Sequence, residues 1–343
     1  MKQVQLHGIE DVRLVEVPAP QCGPADVIVD VEACGICGSD LGYIRQGGMM
    51  GPGGGAMALG HEFAGTISAV GDRVRHWRIG QRVTVSPMTA ANLIGNGGSE
   101  GAFAPQVCVR EADLPGTVLS LPQELSAEVA ALAEPLSVAM HAIGRVALSA
   151  ESKVVITGAG PIGLCCVLAL KARGVKDVVV VDPAEFRRDI AIRLGADAVF
   201  AGTDTGFWEA LAGRHGTDHS FFGMPLAQTD AYFECSGVDE VLTGLLMFAR
   251  PRAEIVLVAA YKHEIPIDVR LVMAKELRLA GSLGSGDRFQ EALAYLSAHA
   301  AHAAALISHR FTLEDFDQAL AVARNSAVSA KVLVMPSIPS AGA

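Results

Sequence analysis

"KVVITGAGPIGLCCVLALKARGVKDVVVVD", residues 153–182, is the stretch that decides the fold. Its "VVIT" and "VVVV" are unbroken apolar runs rich in β-branched residues, the pattern of strands buried on both faces of a sheet. Between them Gly158, Gly160 and Gly163 stand in G-x-G-x-x-G spacing, and "PIGLCCVLALKARG" reads as a helix. Asp182 ends the second strand nineteen residues after Gly163. Alone the glycine motif is weak. Between a buried strand and a helix, with the acid at this distance, it is the context that dinucleotide binding requires. Gly158 allows the tight turn, Gly160 lets backbone approach a pyrophosphate, and Gly163 allows close helix packing. Pro161 and Ile162 open a helix whose N-terminus offers positive potential to phosphates. Asp182 is expected to accept hydrogen bonds from ribose hydroxyls and to repel a 2′-phosphate, which favours NAD over NADP. Arg187 works against that preference, because a nearby guanidinium tolerates phosphate.

Working outward, "AEFRRDIAIRLGA", "DAYFECSG", "VLTGLLMFAR" and "EIVLVAAY" continue the alternation of helices and buried strands, so a parallel, doubly wound sheet is expected. Upstream the pattern changes. "QVQLHG", "VRLVEVPAP", "DVIVDVEACG", "EFAGTISAVG" and "RVTVSP" are short β-rich runs bounded by Gly, Pro and Asp. "SAEVAALAEPLSVAMHAIGRV" has helical spacing interrupted at Pro135. Downstream, "RFQEALAYLSAH" and "EDFDQALAVARN" look helical and "AKVLVMP" closes as a strand. The organisation expected is α/β: a β-rich catalytic domain at 1–148, a Rossmann nucleotide domain at 149–282, and a segment at 283–343 returning to the first domain.

A net charge of −10 disfavours nucleic acid and anionic membranes as partners. No apolar run is long enough to span a bilayer and the N-terminus carries charges throughout, so a cytoplasmic protein is expected. Seven scattered cysteines argue against a disulfide framework. Cys34 and Cys37 need their own account. As C-x-x-C they could be a redox pair or half of a zinc cluster. No second such pair lies nearby to close a structural site, and a redox pair would head a helix in a βαβ setting. The remaining reading is an open catalytic zinc site completed by distant residues. His61 with Glu62 in "LGHEFAG" are candidates, as is Glu134, a carboxylate in the apolar "LAEPLSV" that wants a cation.

The combination of "CGICGSD", "GHEFAG", "AEPLSVAMHA", "GAGPIG", "FECSGV" and "LISHRFTLEDFDQAL" resembles the zinc-dependent medium-chain alcohol and polyol dehydrogenases, most closely the sorbitol, idonate and butanediol branch. The resemblance covers essentially the whole chain and implies a GroES-like fold for the catalytic domain. It implies that Cys37, not Cys34, is a zinc thiolate and that His61 supplies an imidazole. Glu62 and Glu134 would be direct, exchangeable or water-mediated ligands, sharing the metal with His61 because the chain bends there. Ser39 matches a proton-relay hydroxyl, Asp40 an orienting group and Tyr43 a substrate contact, while Val258 and Leu283 join the cofactor-binding residues. The expected activity is oxidation of a secondary alcohol, diol or polyol to a ketone with NAD. A threonine-type amino-alcohol dehydrogenase and an inactive nucleotide-binding sensor are the alternatives.

Three departures bear on this. The segment that holds a four-cysteine structural zinc in many relatives is "MTAANLIGNGGSEGAF" here, without cysteine, so one zinc per chain is expected. Gly42 stands where a relay histidine often follows. The polyol branch's pocket arginine is replaced near Gly284, which points away from sorbitol towards a smaller or less hydroxylated alcohol. The Gly-rich loop at 47–55 borders the expected cleft. A homodimer or homotetramer is expected, with "AEIVLVAAY" and "LRLAGSL" as edge-strand material.

Overall fold

The computed structural model describes residues 1–219, 223 and 225–336. The chain forms two compact units. One comprises Met1–Pro135, Phe289–Asn325 and the chain from Ser329; the other comprises Leu136–Arg288 with Ser326–Val328. No helix among the described residues is long and apolar enough to cross a membrane.

In the second unit the strands Lys153–Thr157, Asp177–Val181, Ala198–Phe200, Ala231–Glu234, Glu254–Leu257 and Arg278–Gly281 form one sheet. Their spatial order is third, second, first, fourth, fifth, sixth, and every pair is parallel. The parallel, dinucleotide-binding architecture read from residues 153–182 is therefore present. The order reverses between Lys153–Thr157 and Ala231–Glu234, so a crevice opens beyond their carboxyl ends. The composition explains the layering. Val154–Ile156, Val178–Val181 and all of Ala231–Glu234 are buried, as are Gly163–Leu170 of the helix Pro161–Ala172. A strand covered on both faces tolerates no polar alternation.

The first unit is β-rich, as expected. Its larger sheet runs Ile307–Thr312, Lys331–Met335, Val27–Gly35, Glu62–Val70, Arg82–Val85, Val118–Ser120, and Gln106–Val109 also pairs with Val27–Gly35. Lys331–Met335 lies antiparallel to Val27–Gly35, with Val334 opposite Cys34. The C-terminal helix Phe316–Arg324 packs on the same core, where the Phe316 and Phe103 rings lie 5.0 Å apart. Gly35 is in register with Glu62, so the two central strands deliver Cys37 and His61 to one end of the sheet. The helix Gly38–Gln46 starts there.

One local expectation is corrected. Residues 126–146 are not a single helix interrupted at Pro135. The break falls earlier, between Ala127–Ala130 and Ala133–Ile143. Pro135 occupies the first turn of the second helix, where its missing N–H would have had no intrahelical partner.

Candidate metal and nucleotide sites

Cys37 caps the helix Gly38–Gln46, and its backbone N–H donates to Asp40 Oδ2 at 2.9 Å. The other Asp40 oxygen accepts from Gly60 N at 3.4 Å and lies 3.6 Å from His61 Nδ1. Gly60 has φ +93, a conformation that suits glycine, and it bends the chain just before the strand Glu62–Val70. That bend lets neighbouring residues address one point. The ligand atoms of Cys37, His61 and Glu62 all lie within 4.8 Å of one another. Ser39 Oγ is 3.3 Å from His61 Nε2. Cys34, fully buried, is not part of this trio.

The trio fits a cation. Glu62 is fully buried and His61 nearly so, and Glu62 Oε1 has no hydrogen-bond partner among the described residues, whereas His61 Nδ1 faces Asp40. Leaving such an acceptor unsatisfied is costly unless an ion completes it. Burial and the Glu62 charge push the Cys37 thiol up, against the pull of His61. Burial alone would lower the His61 imidazole, but the charges of Asp40 and Cys37 beside it hold it well above its usual value. A thiol, an imidazole and a carboxylate form a donor set suited to zinc.

Glu134 does not belong to the tight trio. It is buried in the first turn of Ala133–Ile143, and burial raises its carboxyl to about 7. His61 pulls that value down and Glu62 pushes it up, so Glu134 shares the field of the trio. Tyr43 feels the same groups: its hydroxyl is raised by burial and influenced by His61, Asp40, Cys37 and Glu134. Sequence reading missed Lys331. This buried cation donates to Glu62 Oε2 and, at 3.1 Å, to the Ile36 carbonyl. A lysine in an apolar closing strand was the available signal, but nothing in the sequence joins it to a residue 269 positions away.

In the second unit each glycine of the turn meets different surroundings. A Cβ on Gly158, which has φ +90, would lie 2.8 Å from Ser236 N, and one on Gly163 would lie 1.8 Å from Gly158 O. Protein packing therefore demands both. A Cβ on Gly160 would meet only Arg187 Nη1, at 3.9 Å. Nothing in the protein excludes a side chain there, so the open cradle suits a pyrophosphate. Asp182 is held at the adjacent strand end, one oxygen accepting from Ala159 N at 2.7 Å and the other from Ala184 N at 2.8 Å. Pro161 and Ile162 start the helix above the cradle. Val258 and the highly exposed Leu283 follow the carboxyl ends of the strands Glu254–Leu257 and Arg278–Gly281.

Sequence reading also missed Glu234, a fully buried carboxylate ending the strand beside the crevice. Its Oε1 accepts from Ser236 N at 2.8 Å, from Gly237 N at 3.1 Å, from Thr157 Oγ1 at 3.5 Å and from the Ser236 hydroxyl. Its Oε2 accepts from the Tyr261 hydroxyl.

Known proteins match along the whole chain. Residues 23–123 match the alcohol dehydrogenase GroES-like domain, and residues 161–298 match the zinc-binding dehydrogenase family. A sorbitol dehydrogenase of Arabidopsis thaliana is 31% identical over 89% of this chain and 86% of its own length. The crystal structure of 2R,3R-butanediol dehydrogenase from Bacillus subtilis has a TM-score of 0.83 at 29% identity, covering 98% of this chain and 99% of that one. A putative zinc-binding dehydrogenase from Sinorhizobium meliloti 1021, solved bound to NADP, has a TM-score of 0.79 at 26% identity, covering 98% and 99%. With a Rossmann crevice in one unit, a cation-ready thiol–imidazole–carboxylate trio in a GroES-like other, and relatives matched end to end, the chain belongs to the zinc-dependent medium-chain alcohol and polyol dehydrogenases and is an oxidoreductase.

Proposed function

We propose that the protein oxidises a secondary alcohol or diol to a ketone and passes the hydride to NAD, using one zinc per chain. The observation that carries this reading is the trio of Cys37, His61 and Glu62 with its unsatisfied buried Glu62 Oε1. When bound, zinc supplies a Lewis acid that makes an alcohol more acidic, and the nicotinamide supplies the hydride acceptor. The chain does the rest. Cys37 and His61 hold the metal, with Glu62 or Glu134 as the exchangeable acidic ligand. Asp40 fixes the imidazole from its Nδ1 side. Ser39 Oγ, 3.3 Å from the His61 nitrogen that would face the metal, would be the first carrier of the substrate proton on its way to solvent. Glu134, with its carboxyl near 7, can hold or release a proton at neutral pH.

NAD rather than NADP is supported by the anchored Asp182 carboxylate, which disfavours a 2′-phosphate. Arg187, beside Gly160, is the residue through which NADP would gain. A single zinc is supported by the cysteine-free segment 88–103. Seven cysteines without a disulfide among them fit a cytoplasmic setting, and the family resemblance suggests a homodimer or homotetramer. The test is NADH formation over vicinal diols, pentitols, hexitols, aldonates, simple secondary alcohols and L-threonine. Each is run with NAD and NADP, before and after chelation. Chelator-sensitive turnover of one alcohol class with NAD is the expected result. Turnover untouched by metal removal would defeat the reading.

A further inference from the structure

The segment 88–103 carries no cysteine and is tied to the first unit by its own side chains. Ile94, Ala102 and Phe103 are buried in the core of that unit. Asn92 and Glu100 meet the strand Gln106–Val109 at the same residue. Asn92 Nδ2 donates to the Cys108 carbonyl at 2.8 Å, and Cys108 N donates to Glu100 Oε2 at 3.4 Å. Asn92 Oδ1 accepts from Arg110 N at 3.3 Å. An amide offers both a donor and an acceptor, and a carboxylate only acceptors, so the pair matches the polar groups along a strand. Between these two anchors Gly95 N closes a turn on Glu100 O at 2.7 Å.

That turn presses on a single peptide. Gly95 is buried, and a Cβ on it would run into the Gly60 carbonyl. Ala102 N donates to the Gly60 oxygen at 2.9 Å, and Phe103 N donates to Leu59 O at 3.1 Å. At its other end Gly60 N donates to Asp40 Oδ1 at 3.4 Å, the oxygen that lies 3.6 Å from His61 Nδ1. A Cβ on Gly60 itself would stand 2.7 Å from Phe103 N. Both polar groups of Gly60 are therefore held, its φ of +93 has no room to relax, and His61 is the next residue. A shift of the Gly60 carbonyl moves the His61 Cα directly, because the peptide joining them is a rigid plane.

We infer that the segment 88–103 positions the metal site: Gly95 sets the Gly60 bend that aims His61 at Cys37 and Glu62, and Asn92 holds Gly95 in place. Metal affinity depends on the groups that orient the ligands as well as on the ligands themselves. The inference rests on the zinc reading above and gives this segment a part in it.

The test measures zinc affinity by chelator competition in the parent, Gly95→Ala, Asn92→Ala and Gly97→Ala. Gly97 is the control. Its φ of +96 lies further from the left-handed well than the +64 of Gly95, yet a Cβ on it would meet only Met49, at 3.0 Å. Gly95→Ala should weaken zinc binding about ten- to a hundredfold. Asn92→Ala adds no atom and serves where Gly95→Ala does not fold; it should weaken zinc about three- to tenfold, the size of a lost hydrogen bond. Gly97→Ala should lower the melting temperature through backbone strain and keep zinc affinity within about twofold of the parent. The visible spectrum of the cobalt-loaded protein reports ligand geometry, so it should shift in Gly95→Ala and not in Gly97→Ala. Calorimetric binding of NAD should be the same in all four proteins. Equal losses of zinc affinity in Gly95→Ala and Gly97→Ala, or parental affinity in both Gly95→Ala and Asn92→Ala, would overturn the inference while leaving the zinc reading intact. Zinc retained by a Cys37→Ala variant would overturn both.

Discussion

Glu62 and Glu234 are both fully buried carboxylates at strand ends, and they differ in one respect. Every direction around Glu234 is occupied: two backbone N–H groups and the hydroxyls of Thr157, Ser236 and Tyr261 surround it. Glu62 has Lys331 on one oxygen and, among the described residues, no hydrogen-bond partner on the other. Burial of a charge is thus the same observation at two places with opposite meanings. A saturated carboxylate pins loops together. A half-satisfied one leaves an acceptor that a cation would complete. In this molecule the saturated acid braces the Ser236 loop against the glycine turn, since Gly158 packs on Ser236 N. The half-satisfied acid sits beside a thiol and an imidazole.

Substitutions that separate the two kinds of acid give effects of decreasing size. Cys37→Ala or His61→Ala should remove zinc and lower kcat/KM by at least about ten-thousandfold, read from metal analysis and NADH formation. Full activity in a metal-depleted variant would break the contrast at its root. Lys331→Met comes next. It strips Glu62 of its buried counter-ion and should destabilise the metal-free protein by about 3–5 kcal/mol. Zinc should restore part of that, so the rise in melting temperature on zinc addition should be larger in the variant than in the parent. An equal rise in both would mean that the metal does not meet the Glu62 charge.

The third effect is on pH. The Cys37 thiol and the His61 imidazole are both held above their usual values in the metal-free site, so the pair keeps protons that zinc, bound by a thiolate and a neutral imidazole, has no room for. Zinc must displace those protons. Apparent zinc affinity should therefore fall as pH drops, by up to about a hundredfold per unit while both protons are exchanged. Competition with a chelator between pH 6 and 8, both about neutral, measures the slope, and a flat profile would exclude these two residues as ligands. The smallest effect belongs to Glu234→Gln. An amide cannot accept at both ends, and the loss should be about 1–2 kcal/mol of stability with weaker NAD binding. Zinc content should stay at the parental level. A fall in zinc content there would erase the distinction between the two acids.

Legibility followed distance along the chain. The turn at 158–163, Asp182 and the buried strands around them are legible because their spacing is set by backbone geometry within some thirty residues. Cys37, His61 and Glu62 were visible as chemistry, and only the bend at Gly60 shows how two neighbours in a chain turn towards one point. Glu134 stood out correctly as a costly buried carboxylate, yet its separation from the tight trio could not be seen. Pro135 was read as a break because proline ends helices from inside. Its place in a first turn depends on where the helix begins.

By itself the sequence determined the nucleotide fold, the order of the two kinds of domain and the residue types of a zinc site, because periodicity and local spacing encode them. Only the tertiary structure decided which oxygen of Glu62 remains open, that Lys331 neutralises the other, and that the Tyr43 hydroxyl donates to Asn96. Those facts depend on side chains 53 and 269 residues apart meeting within hydrogen-bond range. Such meetings are fixed by strand register and close packing across a shared core, and no local pattern records them.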